Sequence, residues 1–228
     1  MTTVKTSSSR LKSFGIVSVV AIGILAGCGE RGSADPASAS KADQGAKANT
    51  SAQCFYPAGG LSENDAALFS ASEAGDLDRV GQAIDEGGNV NAADALKRTP
   101  LFAAAFCNRP DATNLLIDKG SDVSARDFLG MSPLHAAVVV GGDDSAKALI
   151  SKGANINQQD ATGHTPLHIA AATGQMSMVE LLLNRGANVQ LRDKDGVTAS
   201  SMASTNGHKT VAATIKKWRE KQKTPSQK

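Results

Sequence analysis

The sequence predicts an all-α repeat solenoid of about five 33-residue helix-turn-helix units, preceded by a signal peptide and a disordered tether. The main observation is a period. Thr99-Pro100-Leu101, Ser132-Pro133-Leu134 and Thr165-Pro166-Leu167 recur every 33 residues, which is typical of stacked repeats. Composition agrees, because 41% of the residues are hydrophobic but only 4% are aromatic. This favours small helices packed through Ala and Leu over a β-sandwich or barrel.

The N-terminus has the organisation of an export signal. Residues 1–13 carry three basic residues and no acidic one, and a 12-residue apolar run follows from Phe14 to Leu25. A membrane-spanning helix needs about 20 apolar residues, so this run is too short and favours a secretory signal peptide over residues 1–27. An uncleaved anchor is the alternative.

Leu25-Ala26-Gly27-Cys28 resembles the bacterial lipoprotein box. The resemblance implies that Cys28 is diacylated and becomes the N-terminus of a membrane-anchored chain facing the periplasm. Gly29, where retention signals have Asp, favours the outer membrane over the inner one. A plain signal peptide with a chance cysteine is the alternative. Residues 29–53 contain no large apolar side chain, so segment 28–53 cannot offset its chain entropy and is predicted to be a disordered tether.

Each repeat carries start and stop signals for two helices. Thr or Ser before Pro supplies an N-cap, followed by a first helical residue whose missing N–H costs nothing. Glycine, or once asparagine, then ends each helix in a left-handed turn. The first helices end at Gly75, Asn108, Gly141, Gly174 and Gly207, and the second helices at Gly87, Gly120, Gly153 and Gly186. Arg219 stands where the next glycine would fall, so the last helix is predicted to run toward the basic tail, residues 221–228.

These motifs resemble the ankyrin repeat family. Thr165-Pro166-Leu167-His168-Ile169-Ala170 matches its Thr-Pro-Leu-His-x-Ala signature, and the units at Ser132 and Thr99 each depart at one position. The resemblance implies a domain over 54–220 that serves as a protein-binding scaffold, with degenerate capping units at both ends. It also implies that the helix pairs stack with β-hairpin fingers projecting from one side, and that His135 and His168 bridge neighbouring loops structurally. The predicted repeats are 61–91, 92–124, 125–157, 158–190 and 191–220.

The sequence has no motif typical of a catalytic or metal-binding site, so we expect no enzyme activity, cofactor or metal. His164 and His168 are four residues apart, but Pro166 lies between them, so they do not share a helix face. Asp127, Asp160 and Asp193 each precede a glycine by three residues, which is typical of turn-forming aspartates.

Cys54 and Cys107 are the cysteines that remain if Cys28 is acylated. In an exported chain two remaining cysteines favour a disulfide, which would close a loop of about 50 residues over the N-terminal end of the stack. Two buried free thiols are the alternative.

One finger tip predicts a partner-binding site. The tip between the second and third repeats holds Phe128, Leu129 and Met131, where the matching tips are mostly polar. Because finger tips are exposed in the family, these three side chains would form an apolar patch typical of binding hot spots. The alternative is that the tip folds back against its neighbour.

The formal net charge of +2 conceals an uneven distribution. Without residues 1–27 the chain is at −1, made of −7 over 28–208 and +6 over 209–228. The acidic body suits a protein partner with a basic face and disfavours nucleic acid. The basic end is interpreted as a solvated cap, with contact to anionic lipid or an acidic partner as the alternative.

The sequence therefore predicts a membrane-tethered periplasmic module that binds protein and is monomeric before binding. Chains of this build resemble immunity lipoproteins encoded beside secreted toxins, including phospholipase effectors of type VI secretion. A scaffold or chaperone for a periplasmic enzyme or envelope complex is the competing hypothesis.

Overall fold

The computed structural model describes residues 60–223, which belong to a compact unit spanning 57–228. The signal peptide 1–27, Cys28, the tether 28–53, Cys54 and residues 224–228 of the tail lie outside the described residues. Within 60–223 there are ten helices in five pairs. They are α1 Glu63–Ala74, α2 Leu77–Asp85, α3 Pro100–Phe106, α4 Pro110–Asp118, α5 Pro133–Val139, α6 Asp143–Ser151, α7 Pro166–Thr173, α8 Met176–Asn184, α9 Ala199–Thr205 and α10 Lys209–Lys223. The predicted all-α repeat solenoid is confirmed.

The predicted N-caps and prolines begin the first helices of the central repeats. Thr99 accepts the Phe102 N–H at 3.3 Å, and α3 begins at the following proline. Ser132 and Thr165 form capping boxes in which a histidine replaces the usual Glu, and α5 and α7 begin at their prolines. The first unit lacks Thr-Pro and begins a turn earlier, capped by Ser62.

The helix ends also follow the sequence. All nine predicted stop positions have positive φ: Gly75, Asn108, Gly141, Gly174, Gly207, Gly87, Gly120, Gly153 and Gly186. Asn108, at φ 49°, is the non-glycine among them, and asparagine tolerates this conformation better than most residues. The last helix has no such stop, and α10 runs for 15 residues where α8 runs for nine. Its predicted extension is confirmed.

The core is built from small aliphatic side chains at repeated positions. Leu68, Leu101, Leu134 and Leu167 lie 33 residues apart and are at most 1% exposed. Alanines on the same helices, such as Ala104, Ala137 and Ala171, are fully buried. Because alanine leaves little side-chain volume between helices, successive pairs can stack closely.

The fingers are tight loops in which the described residues form a single isolated bridge, between Arg192 and Thr198, where β-hairpins were expected. In the second finger the Asp127 N–H donates to the Met131 carbonyl at 3.0 Å. The Leu129 and Met131 amides donate inward to Asp127 Oδ1 at 2.9 and 2.8 Å. The same aspartate bonds close the third and fourth fingers, so short turns held by a side chain take the place of the expected hairpins.

Candidate functional site

The finger tips are joined to one another by backbone hydrogen bonds. The Phe128 N–H donates to the Leu96 carbonyl at 3.0 Å, and the Ala161 N–H donates to the Leu129 carbonyl at 2.8 Å. The Lys194 N–H donates to the Thr162 carbonyl at 3.0 Å. Three bonds of the same kind therefore link the four fingers in series, and the tips form one hydrogen-bonded surface.

Long side chains at one repeat position reinforce this surface. Arg126 donates through Nε to the Gly130 carbonyl at 3.0 Å, and its guanidinium also donates to the Gln159 carbonyl of the next finger. Gln159 Nε2 donates to the Gly163 carbonyl at 2.8 Å and to the Arg192 carbonyl at 2.9 Å. These contacts fix the second, third and fourth fingers relative to one another.

Phe128 is the most exposed large apolar side chain of the described residues. It is 54% exposed, against 41% for both Leu77 and Val140, and Leu129 beside it is half-buried. The tip is bonded to its neighbour through the backbone at Leu96, yet the phenyl ring remains open to solvent. Aromatic side chains, Phe among them, are enriched at protein interfaces, where they serve as anchors.

The predicted exposure of Met131 is wrong, because its side chain is only 2% exposed. The residue follows the closed loop and directly precedes the N-cap Ser132, and its own amide is held by Asp127 Oδ1. This geometry turns the methionine into the core between two fingers. The exposed apolar site therefore consists of Phe128 and the edge of Leu129.

His135 and His168 have the bridging role that the resemblance implies. The Ser132 N–H and hydroxyl donate to His135 Nδ1 at 3.1 and 2.8 Å, and Nε2–H donates to the His164 carbonyl of the next finger at 3.2 Å. His168 repeats this pattern with Thr165 and the Val197 carbonyl. Burial lowers the pKa of His135 to about 4, so the ring is neutral and structural.

An ion pair around His164 escaped the sequence reasoning. The ring lies before α7 with Nδ1 3.6 Å from Asp160 Oδ2 and Nε2 3.4 Å from Asp193 Oδ2. Burial opposes the charged ring, but the two carboxylates outweigh it and raise the pKa of His164. In the sequence, the 33-residue spacing of Asp160 and Asp193, with His164 between them, was the pattern that could have predicted this ion pair.

The same residues do not form a metal centre. The His164 and His168 rings are 6.0 Å apart and tilted by 46°. Across residues 60–223 no group of three or more His, Cys, Asp or Glu side chains is placed to hold a metal ion. Cys107 is half-buried at the end of α3. Its pairing with Cys54 stays a prediction, because Cys54 lies outside the described part.

Glu73, near the end of α1, has a carboxyl group whose pKa is raised. Burial raises its pKa to about 8, and Arg98 opposes the change. A carboxyl with a raised folded pKa stabilises the fold below its unfolded pKa, 4.5, and loses that contribution as pH rises through about 8. We expect Glu73→Gln to raise the free energy of unfolding by about 1–2 kcal/mol at pH 9, a value reduced for partial exposure, and to leave it unchanged at pH 4.

Urea unfolding at the two pH values measures this effect. Glu180→Gln, on the exposed surface of α8, is the matched control and should change stability equally at both. A gain from Glu73→Gln that is the same at pH 4 and pH 9 would contradict the buried carboxyl.

The fold and the linked finger tips define a repeat protein whose fingers form one hydrogen-bonded surface. The chain belongs to the ankyrin repeat family: the family described as Ankyrin repeats (3 copies) matches residues 48–127, 68–160 and 134–224. Comparison with curated proteins finds no match. Ankyrin repeats generally mediate protein–protein interactions and are typically non-enzymatic scaffolds, consistent with a binding module. No helix within residues 60–223 is both long and apolar enough to cross a bilayer.

Proposed function

We propose that this protein is a non-enzymatic, periplasm-facing lipoprotein that binds a protein partner through its second finger tip. The diacylated Cys28 would anchor it, in the outer membrane rather than the inner one, and the tether 28–53 would hold the ankyrin stack near the bilayer. The observation that carries the proposal is Phe128, 54% exposed on a loop that hydrogen bonds fix on both sides.

Charge supports a partner with a basic face. The first repeat, residues 61–91, holds seven acidic residues and one basic residue, Arg79. Residues 92–208 add eleven acidic and ten basic residues, so the stack is acidic or neutral until its last helix. Complementary charge would speed association and exclude acidic competitors.

The most specific role that fits is immunity, in which the protein neutralises a secreted toxin such as a type VI secretion phospholipase effector. A lipase must act at the membrane, and a tethered inhibitor would be concentrated there. A scaffold or chaperone for a periplasmic enzyme or envelope complex is the second candidate, and the same finger surface would serve it.

The partner-binding site is tested by charge introduction at the tip. We expect Phe128→Asp to weaken binding to the partner captured from the periplasm by at least about 2 kcal/mol, because an aromatic anchor that the partner would bury is replaced by an unpaired carboxylate. Calorimetric or optical titration of the purified pair measures the affinity. The melting temperature should not change, because the side chain lies outside the core.

Leu77→Asp is the matched control, since it places the same charge on another exposed apolar residue, at the start of α2 and away from the fingers. It should leave the affinity intact. Equal affinities of wild type and Phe128→Asp would remove the finger tip from the proposal.

Deletion of the gene separates the two roles. An immunity protein is needed only when its toxin reaches the periplasm, so cells lacking it should be poisoned under that condition alone, and the toxin gene should be adjacent. Loss of a scaffold should give an envelope defect without any toxin.

A further inference from the structure

The last helix, α10, differs from the other second helices in length and charge. It continues six residues beyond the length of α8, and these residues are Trp218, Arg219, Glu220, Lys221, Gln222 and Lys223. Residues 209–223 contain six basic residues and one acidic residue. The stack therefore ends in a projecting cationic helix, while its first repeat is strongly acidic.

The cations of α10 form an exposed face. Lys209, Lys216 and Lys217 are exposed. The last two follow Lys209 by seven and eight residues, or about two helical turns, so all three lie on one side of the helix. The opposite side is anchored in the stack by Val211 and Ile215, which are 2% and 1% exposed. Within residues 60–223 no carboxylate lies within 4.0 Å of these three lysines. Their charge is available to an anionic surface.

Trp218 follows Val211 and Ile215 by seven and three residues, which places it on the side of α10 that packs on the stack, and it is half-buried. Its indole Nε1 is buried without a hydrogen-bond partner among the described residues. The ring therefore lies across the helix from the basic face, within about one helix diameter, 10–12 Å.

We propose that the basic face of α10 docks on the anionic phospholipid surface of the membrane that carries the protein. The inference rests on the proposed anchor at Cys28, which keeps that surface within reach of the stack at high effective concentration. An anionic bilayer attracts basic segments and repels the acidic first repeat. The stack thus meets the membrane by its C-terminal end, which limits the orientations in which the fingers face their partner.

Trp218 reports this contact directly, because it is the sole tryptophan of the chain. The full protein, purified from membranes, is placed on vesicles of neutral phosphatidylcholine alone or with phosphatidylglycerol, each containing a dansyl-labelled headgroup lipid. We expect energy transfer from Trp218 to dansyl to be stronger on the anionic vesicles. The excess should disappear when salt rises from about 0.1 M to about 0.5 M, as screening shortens the range of the attraction.

The variant Lys216→Gln/Lys217→Gln should reduce the ratio of docked to undocked protein about 30-fold, from about fivefold for each lysine near an anionic surface. Lys97→Gln/Lys119→Gln removes the same charge from exposed positions outside α10 and should behave as wild type. Equal transfer on neutral and anionic vesicles, or no effect of the α10 variant, would overturn the proposal. Equal transfer on both kinds of vesicle, together with an acidic protein that shields Lys216 and Lys217, would overturn the proposal and assign the face to that protein.

Flotation of the vesicles tests the anchor separately. An acylated protein floats with neutral vesicles whatever α10 does, whereas an unacylated one does not. In the unacylated case the same energy transfer, measured at increasing concentrations of anionic vesicles, decides the role of α10 without the tether.

Discussion

Gly163→Ala is expected to lower the free energy of unfolding by about 3–4 kcal/mol, because alanine is strained in the left-handed conformation and its Cβ would make a contact that cannot relax. Gly163 has φ +88°, where an L side chain is strained. An added Cβ would also lie 2.8 Å from the Lys194 backbone nitrogen and 3.0 Å from Asp193 Cα. Both atoms belong to the next finger, so the substitution would push apart two fingers that are otherwise hydrogen-bonded.

The chain supplies a matched control for backbone strain. Gly196 occupies the same position in the last finger at φ +76°, and an added Cβ there meets nothing within 4 Å. Gly196→Ala should therefore cost only the conformational strain, about 1–2 kcal/mol. Urea unfolding of both variants measures the difference, and equal losses would show that the fingers do not need their close approach.

The repeat period made the fold predictable because it dictates both local structure and packing. Thr-Pro starts a helix, glycine ends it, and an identical unit 33 residues later offers the surface that buries it. Even the departures could be foreseen from single residues. Asn108 adopts the left-handed turn, and Arg219 lets α10 continue.

Exposure within the fingers was harder to predict, because one repeat position holds chemically different side chains in a similar environment. Arg98, Met131, His164 and Val197 share a position, and sequence alone gives no reason to place a charged residue and a methionine there alike. In the structure, the aspartate four residues earlier binds each of these amides, and all four residues are buried or half-buried. Phe128, three residues earlier than Met131, escapes this geometry and stays exposed.

Lowering the pH from 7.5 to 5 is expected to cost the fold about 2 kcal/mol through His135 alone. Burial holds the folded pKa near 4, against the usual 6.5, so the unfolded chain binds the extra proton in this window. A base with a depressed folded pKa stabilises the fold above its unfolded pKa, and the contribution declines as pH falls through 6.5 toward 4. Protonation would also place a donor at Nδ1, which faces the Ser132 N–H.

His135→Phe isolates this effect, because Phe102 occupies the same position in the preceding repeat and the fold accepts it there. His168, whose pKa is also lowered, and His164, whose pKa is raised by Asp160 and Asp193, titrate in both proteins and cancel in the comparison. Urea unfolding of wild type and variant at pH 7.5 and 5 gives the double difference. We expect the variant to lose about 2 kcal/mol less than wild type on acidification, and parallel losses would mean that His135 keeps an ordinary pKa in the folded stack.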